Sequence, residues 1–364
     1  MKKNVVISLL LSIVCVLTGC TAEPMPPSPT VEPIPVIFAE STEQPIVQPA
    51  SELTVHFVDV GQADAAILQC EDYTMIIDGG NVADSSLIVA YLKKLNIEHI
   101  DYMICTHAHE DHVGGLSAPL SVMPVGAVYA PVMESDSKAY QTFKQKVADQ
   151  NSEIMHPVNY EIFPLGSAKV EILASPTSAD NLNNTSIILK ITHGNKSFLF
   201  TGDAEREEEQ TLLDKGFLKS DVLKVGHHGS DTSTSYTFLR EIMPEYAVIS
   251  VGKGNSYGHP TEGVLSRLRD ADVTVYRTDL QGDIIMRSDG ESITVTMAKS
   301  ESIQANETAV EYAEGTYIGN KNSKKFHKPD CRTLPAEKNR VEFTSRADAI
   351  NAGYSPCGNC IGLK

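Results

Sequence analysis

The sequence predicts an α/β (α+β) fold, a pair of sheets with helices outside, followed by a small zinc-binding module. Three observations predict it. Strand-like segments run together at both ends of the central region, with helical patterns between them. That order suits two packed sheets better than a doubly wound parallel one. A cluster of His and carboxylate residues follows directly on a buried strand, and a basic tail carries Cys and His at metal-ligand spacing.

Composition sets the limits. The chain has 364 residues, 41% of them hydrophobic, enough for a sizeable core and two to three domains or one large one. Its formal charge is −17, which argues against a protein that coats nucleic acid indiscriminately. The charge is uneven: residues 315–364 hold nine Lys and Arg against four Asp and Glu, a net of +5. Residues 21–314 carry 19 bases and 43 acids, a net of −24. Seven Cys are too few for a disulfide scaffold, and the lack of Trp weakens any Trp-based ligand cage.

The elements follow in chain order. Met1-Lys2-Lys3 is a basic start, and Val5 to Leu17 is apolar except for Ser8, Ser12 and Cys15. This is shorter than the roughly 20 residues of a membrane span and has the layout of a secretory signal. It ends in Leu17-Thr18-Gly19-Cys20, which resembles a lipoprotein cleavage site with Cys20 as the lipid-carrying residue. Residues 1–19 are therefore expected to be a lipoprotein signal peptide, leaving no transmembrane helix after processing. An ordinary signal peptide or an uncleaved anchor is the alternative. Residues 20–52 read as a tether, since residues 21–52 hold eight prolines that favour extended chain.

The central domain, 53–299, begins with the strand Leu53–Val60, whose alternation and β-branched residues mark it. Ala65–Cys70 and Tyr73–Ile77 are the next strands, joined through Glu71-Asp72. Leu87, Ile88, Tyr91, Leu92 and Leu95 give 84–95 helical periodicity. Ile100–Cys105, Lys169–Ala174, Thr185–Thr192 and Ser197–Phe200 read as strands, and Ala204–Leu213 as a helix. Asp221–Val225, Tyr246–Val251 and Val273–Tyr276 are strands separated by helical patterns. Gly282–Arg287 and Ser292–Met297 close the domain as a hairpin.

Thr106-His107-Ala108-His109-Glu110-Asp111-His112 is the strongest chemical signal. Imidazole nitrogen and carboxylate oxygen suit zinc and related divalent ions, and side chains at this spacing on a loop can divide between two of them. Residues 300–314 read as a linker. In 315–364, His327-x3-Cys331 and Cys357-x2-Cys360 supply four ligands for one structural zinc. Disulfide bonding is the alternative there, but three local Cys would leave one unpaired. A module of about 50 residues has little core, so a metal would supply stability.

The first motif resembles the HxHxDH hallmark of the metallo-β-lactamase superfamily, and the likeness covers roughly 53–298. Ile76-Ile77-Asp78-Gly79-Gly80, Phe200-Thr201-Gly202-Asp203 and Gly226-His227-His228-Gly229-Ser230 match its later motifs. The resemblance implies a four-layer αβ/βα sandwich with two divalent metal ions, zinc or manganese, at one edge between the sheets. It implies that His107 and His109 hold one ion, that Asp111, His112 and His227 hold the second, and that Asp203 bridges them. Asp78 would support the ligand loop from behind. Asp203 alone could also be the N-cap of the following helix. The family often has a further His before Asp203. Only His156 and His193 are available, in unpromising contexts, and Asn183 and Asn184 stand behind the site instead.

The stretch Val55–Asp64, Asn183/Asn184-Thr185-Ser186, His227-His228-Gly229-Ser230 and Gly258-His259-Pro260 resemble one branch. This is the extracytoplasmic hydrolase domain of ComEC-type competence proteins and its stand-alone relatives, although Ala63 replaces the usual Gly. That implies a phosphodiesterase or nuclease working through metal-activated water on DNA or another nucleic acid. Asp111, His228 and His259 are the candidate catalytic residues, with His228 or His259 protonating the leaving oxygen. β-Lactam hydrolysis is disfavoured, because that branch uses His at the position missing here. The alternatives are a phosphodiesterase of choline-decorated wall polymers and a non-catalytic metal-dependent binding lipoprotein. The tail resembles the zinc-binding module of the Ada family, with His327 in place of a Cys. Its positive charge suits phosphate contact, with a structural cap as the plainer role. The expected location is the bacterial cell surface, with the membrane reached through lipidated Cys20 only.

Overall fold

The computed structural model describes residues 51–299 and 316–361, apart from 133–134, 178–180, 217, 330 and 358–359. The signal peptide, Cys20, nearly all of the tether and the linker 300–314 lie outside the described residues. Among the described residues, no helix is long and apolar enough to cross a membrane.

Two sheets form the body. In strand order, the first runs Ile293–Met297, Ile284–Ser288, Leu53–Phe57, Ala65–Cys70, Tyr73–Gly79, Ile100–Ile104, Val125–Tyr129 and Ile154–Met155. The second runs Thr274–Arg277, Tyr246–Ile249, Val222–Lys224, Lys196–Phe200, Ile188–His193, Ala168–Ala174 and Ile162–Leu165. Each mixes hairpins with parallel pairs. Leu53–Phe57 lies antiparallel between Ile284–Ser288 and Ala65–Cys70, so the closing hairpin completes the opening sheet. Lys196–Phe200, Val222–Lys224, Tyr246–Ile249 and Thr274–Arg277 are successive parallel neighbours, and helices make the crossovers from 206 onward.

Three cores explain why so many strands read as continuous apolar runs. Side chains alternate between faces, so a strand covered on both sides needs apolar residues at every position. Phe57, Leu68, Met75, Val170, Ile191, Phe198 and Met286 fill the space between the sheets. Ile67, Ile76 and Met103 point the other way, against Ile88 and Leu92 of the helix Ser85–Lys94 and Tyr140 and Phe143 of the helix Lys138–Asp149. On the far side, Leu199, Leu223 and Ala247 meet Leu212, Phe238, Val264 and Leu268 from three helices. The result is the expected four-layer αβ/βα sandwich.

Several boundaries differ from the sequence expectation. The expected strand Thr185–Thr192 begins only at Ile188, because Asn183–Thr185 forms a single 3-10 turn. The strand Val125–Tyr129 and the helix Lys138–Asp149 were not read from the sequence. The tail forms a four-stranded sheet with the helix Arg346–Asn351 and a small core of Tyr317, Phe326, Ala349, Tyr354 and Ile361.

Candidate metal centre

The chain from His107 to His112 is placed by what lies behind it. The strand Ile100–Ile104 ends beneath the interface between the sheets, and the four-residue helix Glu110–Val113 turns the chain immediately. The following turn sits on the end of the strand Tyr73–Gly79, where Gly115 N donates to the Gly80 carbonyl at 3.0 Å. A Cβ on Gly115 would fall 1.9 Å from the Gly79 carbonyl oxygen, so only glycine permits this approach. Asp78, with φ of +57°, holds the loop from below. Its carboxylate accepts from the Thr106 amide at 2.8 Å and hydroxyl at 2.7 Å, and its Oδ2 lies 2.8 Å from His112 Nδ1. That contact aims His112 Nε2 into the centre.

The second sheet supplies the rest. Asp203 follows the strand Lys196–Phe200, and its amide donates to Ser186 Oγ at 3.1 Å. Its Oδ2 lies 3.9 Å from His107 Nε2, 3.3 Å from His112 Nε2, 3.8 Å from His227 Nε2 and 3.7 Å from His228 Nε2. His107, His109 and Asp203 form one close group of donor atoms, and Asp111, His112 and His228 another. His107 Nε2 and His109 Nδ1 are 3.0 Å apart, and His228 Nε2 is 3.2 Å from Asp111 Oδ2.

The geometry departs from the sequence expectation at the His pair. His228, not His227, joins Asp111 and His112. Both residues have left-handed backbone, at φ of +49° and +52°, a strained conformation for non-glycine residues that turns the two rings to different sides. His228 is buried, with Nδ1 3.0 Å from the Ser250 carbonyl and 3.3 Å from Asp64 Oδ1. His227 is partly exposed, with Nδ1 3.1 Å from Thr232 Oγ1 and 3.4 Å from Glu205 Oε1. His259 stands beside it, ring centres 5.7 Å apart. Asn183 and Asn184 are turned to the segment after Asp203. Asn183 Nδ2 donates to Glu205 at 3.2 Å, and the Glu205 amide donates to Asn184 Oδ1 at 2.8 Å. His156 and His193 bond elsewhere, to the Ala130 carbonyl and to Ser288.

Asp64 and Lys224 were missed as site residues. They form a buried ion pair at 2.7 Å, with Asp64 also facing His228. Asp64 ends the Val55–Asp64 stretch quoted above, which was the available signal. Lys224 sits in a wholly buried strand, where its charge was the signal.

Carboxylates dominate the electrostatics of the centre. Burial pushes the His228 imidazolium toward losing its proton, but the Asp203 and Asp64 carboxylates outweigh it and bring the pKa up to about 10. Burial raises the Asp203 carboxyl, yet His112 and His228 hold it well below the usual range. Buried Asp203 Oδ1 and His228 Nε2 have no hydrogen-bond partner. Buried polar atoms are rarely left so, and these point into a nitrogen-and-oxygen donor set that fits two divalent cations.

The tail holds a separate cluster. His327, Cys331, Cys357 and Cys360 converge, with His327 Nδ1 3.3 Å from Cys331 Sγ, and the Cys are thiols rather than disulfides. Burial works against the Cys331 thiolate, but contacts with Thr333, Cys360 and His327 bring its pKa down to about 6. A low thiol pKa suits a zinc ligand.

The comparisons with known proteins agree with this geometry. Residues 58–253 match the model of the metallo-beta-lactamase superfamily, and residues 299–361 match the metal binding domain of Ada. The chain is 32% identical to competence protein ComA of Neisseria gonorrhoeae, over 66% of this chain and 33% of that one. It is 31% identical to ComE operon protein 3 of Bacillus subtilis, over 65% and 33%. Recombination protein 2 of Haemophilus influenzae is 30% identical, over 68% and 30%. The chain therefore spans about a third of the length of these relatives.

Proposed function

Since the chain belongs to the metallo-beta-lactamase superfamily, whose members are typically metal-dependent hydrolases, we propose that it is a phosphodiesterase acting on nucleic acid outside the cytoplasm. One observation carries the catalytic reading: a single carboxylate oxygen, Asp203 Oδ2, lies within 4 Å of four imidazole nitrogens from both sheets. The relatives' names, competence protein and recombination protein, support nucleic acid as the polymer. The Leu17–Cys20 sequence supports export and lipid attachment at Cys20.

In this reading His107, His109 and Asp203 would hold one cation, and Asp111, His112 and His228 would hold the other. Two such ions, zinc or manganese, would neutralise the phosphate oxygens and lower the pKa of a bound water toward neutrality. The protein's own groups do the rest. Asp78 fixes the tautomer and direction of His112, as a carboxylate behind a metal-binding His does. His228 is buried with Nδ1 3.0 Å from the Ser250 carbonyl, and its Nε2 belongs to the donor group that would hold the cation, so it is not available to the leaving oxygen. His227 is anchored at Nδ1 by Thr232 and offers Nε2 at the exposed side of the centre, where it can donate a hydrogen bond to that oxygen. Burial and the neighbouring His227 and His228 bring His259 down to a pKa of about 4, so near neutral pH it acts as a neutral hydrogen-bonding group rather than an acid.

The test incubates the purified protein with zinc or manganese and, separately, single-stranded DNA, double-stranded DNA, RNA and a phosphorylcholine ester, beside Asp111→Ala. Metal-dependent cleavage of nucleic acid that the variant lacks is the expected result. Cleavage of the choline ester alone would assign the enzyme to wall polymers, and no turnover with either metal would make it a binding protein.

A further inference from the structure

A second concave site lies apart from the metal-ligating residues. It lies between the body and the tail, has a volume of about 480 Å³ and gathers positive charge from both sides. Arg206, Arg240 and Arg267 come from the body, and Lys324, Lys325 and Arg346 from the tail. Asp231 and Glu262 are the two carboxylates in its wall. Both are occupied: Asp231 lies 2.8 Å from Arg267, and Glu262 lies 3.1 Å from Arg269 outside the cleft. Arg346 is likewise neutralised by Asp270 at 3.0 Å and anchors the tail to the body. Arg240 and Lys325 are exposed, and no carboxylate pairs with either among the described residues.

This concentration runs against the rest of the molecule. Residues 21–314 carry a net charge of −24, yet the wall of this cleft carries six cations against two anions. Like charges gathered in a concave surface repel each other unless an anion joins them. The cleft and the metal centre draw residues from the same loops. Arg206 lies three residues after Asp203, and Asp231 three after His228. Glu262 and Gly263 follow the turn that carries His259, and Pro260 packs so closely on Gly229 that a Cβ there would come within 2.6 Å.

We propose that this cleft binds the phosphodiester backbone of a single nucleic-acid strand, holding the polymer beside the metal centre that cuts it. The proposal rests on the nucleic-acid reading above. Arg240 and Lys325 supply unpaired charge from its two walls, while Arg206 is held against Asp231 in the same wall. The tail is thereby a second wall of the substrate site.

The test compares wild type with Arg240→Gln/Lys325→Gln. Both substitutions are on the surface, and zinc content of the tail reports that it remains folded. Binding of a labelled single-stranded phosphorothioate oligonucleotide is read by fluorescence anisotropy across a salt series. Turnover of a small phosphodiester, bis(p-nitrophenyl) phosphate, is read in parallel. We expect the variant to bind at least about tenfold more weakly at low salt, with a slope of log K against log salt shallower by about 1.4, roughly 0.7 per lost single-strand contact. Small-diester turnover should be unchanged. Equal affinity and slope in the two proteins would overturn the cleft as the binding site. Binding of poly(glycerol phosphate), but not the oligonucleotide, would overturn nucleic acid as its occupant. Loss of oligonucleotide binding in the variant, with no diester turnover by wild type, would sustain the cleft and reject the phosphodiesterase reading instead.

Discussion

At the residue scale, the centre depends on groups that need touch no ion. Asp78 binds the Thr106 amide and hydroxyl as well as His112, so it sets both loop and ring. Asp78→Ala is expected to lower divalent-metal affinity by about 10- to 100-fold, measured by competition with a chelating dye; unchanged affinity would deny it this role. Lys224 is the counter-charge of buried Asp64. Removing one partner of such a pair leaves an isolated charge, so Lys224→Met should cost about 3–5 kcal/mol. Urea denaturation would show this as a lower midpoint, and a loss below about 1 kcal/mol would contradict it. The contiguous motif His107–His112 was legible because its ligands are neighbours in sequence. The choice between His227 and His228 was not, because it turns on two left-handed backbone conformations rather than on residue type. Asp64 and Lys224 are 160 residues apart, and only the fold brings them together.

At the element scale, the ligand loop is seated by contact between backbones. Gly114 and Gly115 press on the end of the strand Tyr73–Gly79 and the turn after it. Gly115→Ala must push the loop away from Gly79 by more than an ångström, carrying Asp111 and His112 with it. We expect loss of both metal binding and hydrolysis while far-ultraviolet circular dichroism stays near that of wild type; an active variant would show that the seat is not required. Most strands were legible because burial on both faces demands apolar residues throughout. Val125–Tyr129 escaped because Gly126 interrupts its pattern, a residue needed where a Cβ would lie 2.5 Å from the Asp101 carbonyl oxygen. The strand expected from Thr185 starts late because Asn183 and Asn184 are committed to holding the Glu205 segment.

At the scale of the whole molecule, the body and the tail each gather a separate group of metal-ligand side chains. The tail has a core of five buried side chains, too small to be stable alone without its cluster. Cys357→Ser should therefore unfold the tail selectively, seen as new protease sensitivity within 316–361, while small-diester turnover by the body persists. Simultaneous loss of turnover would show the tail to be part of the chemistry itself. The uneven charge was visible in the sequence, but its meaning was not. Only the folded chain shows that three tail cations face three from an acidic body.

Counting divalent metal and phosphodiester turnover on the same purified samples, for wild type and Asp203→Asn, bears most directly on a two-ion centre organised by Asp203. Three ions per chain are expected in wild type, two at the centre and one in the tail. The variant should keep the tail ion, lose the other two and lose turnover with them. Wild-type turnover with only one ion beyond the tail, or an Asp203→Asn variant that remains fully active, would contradict it.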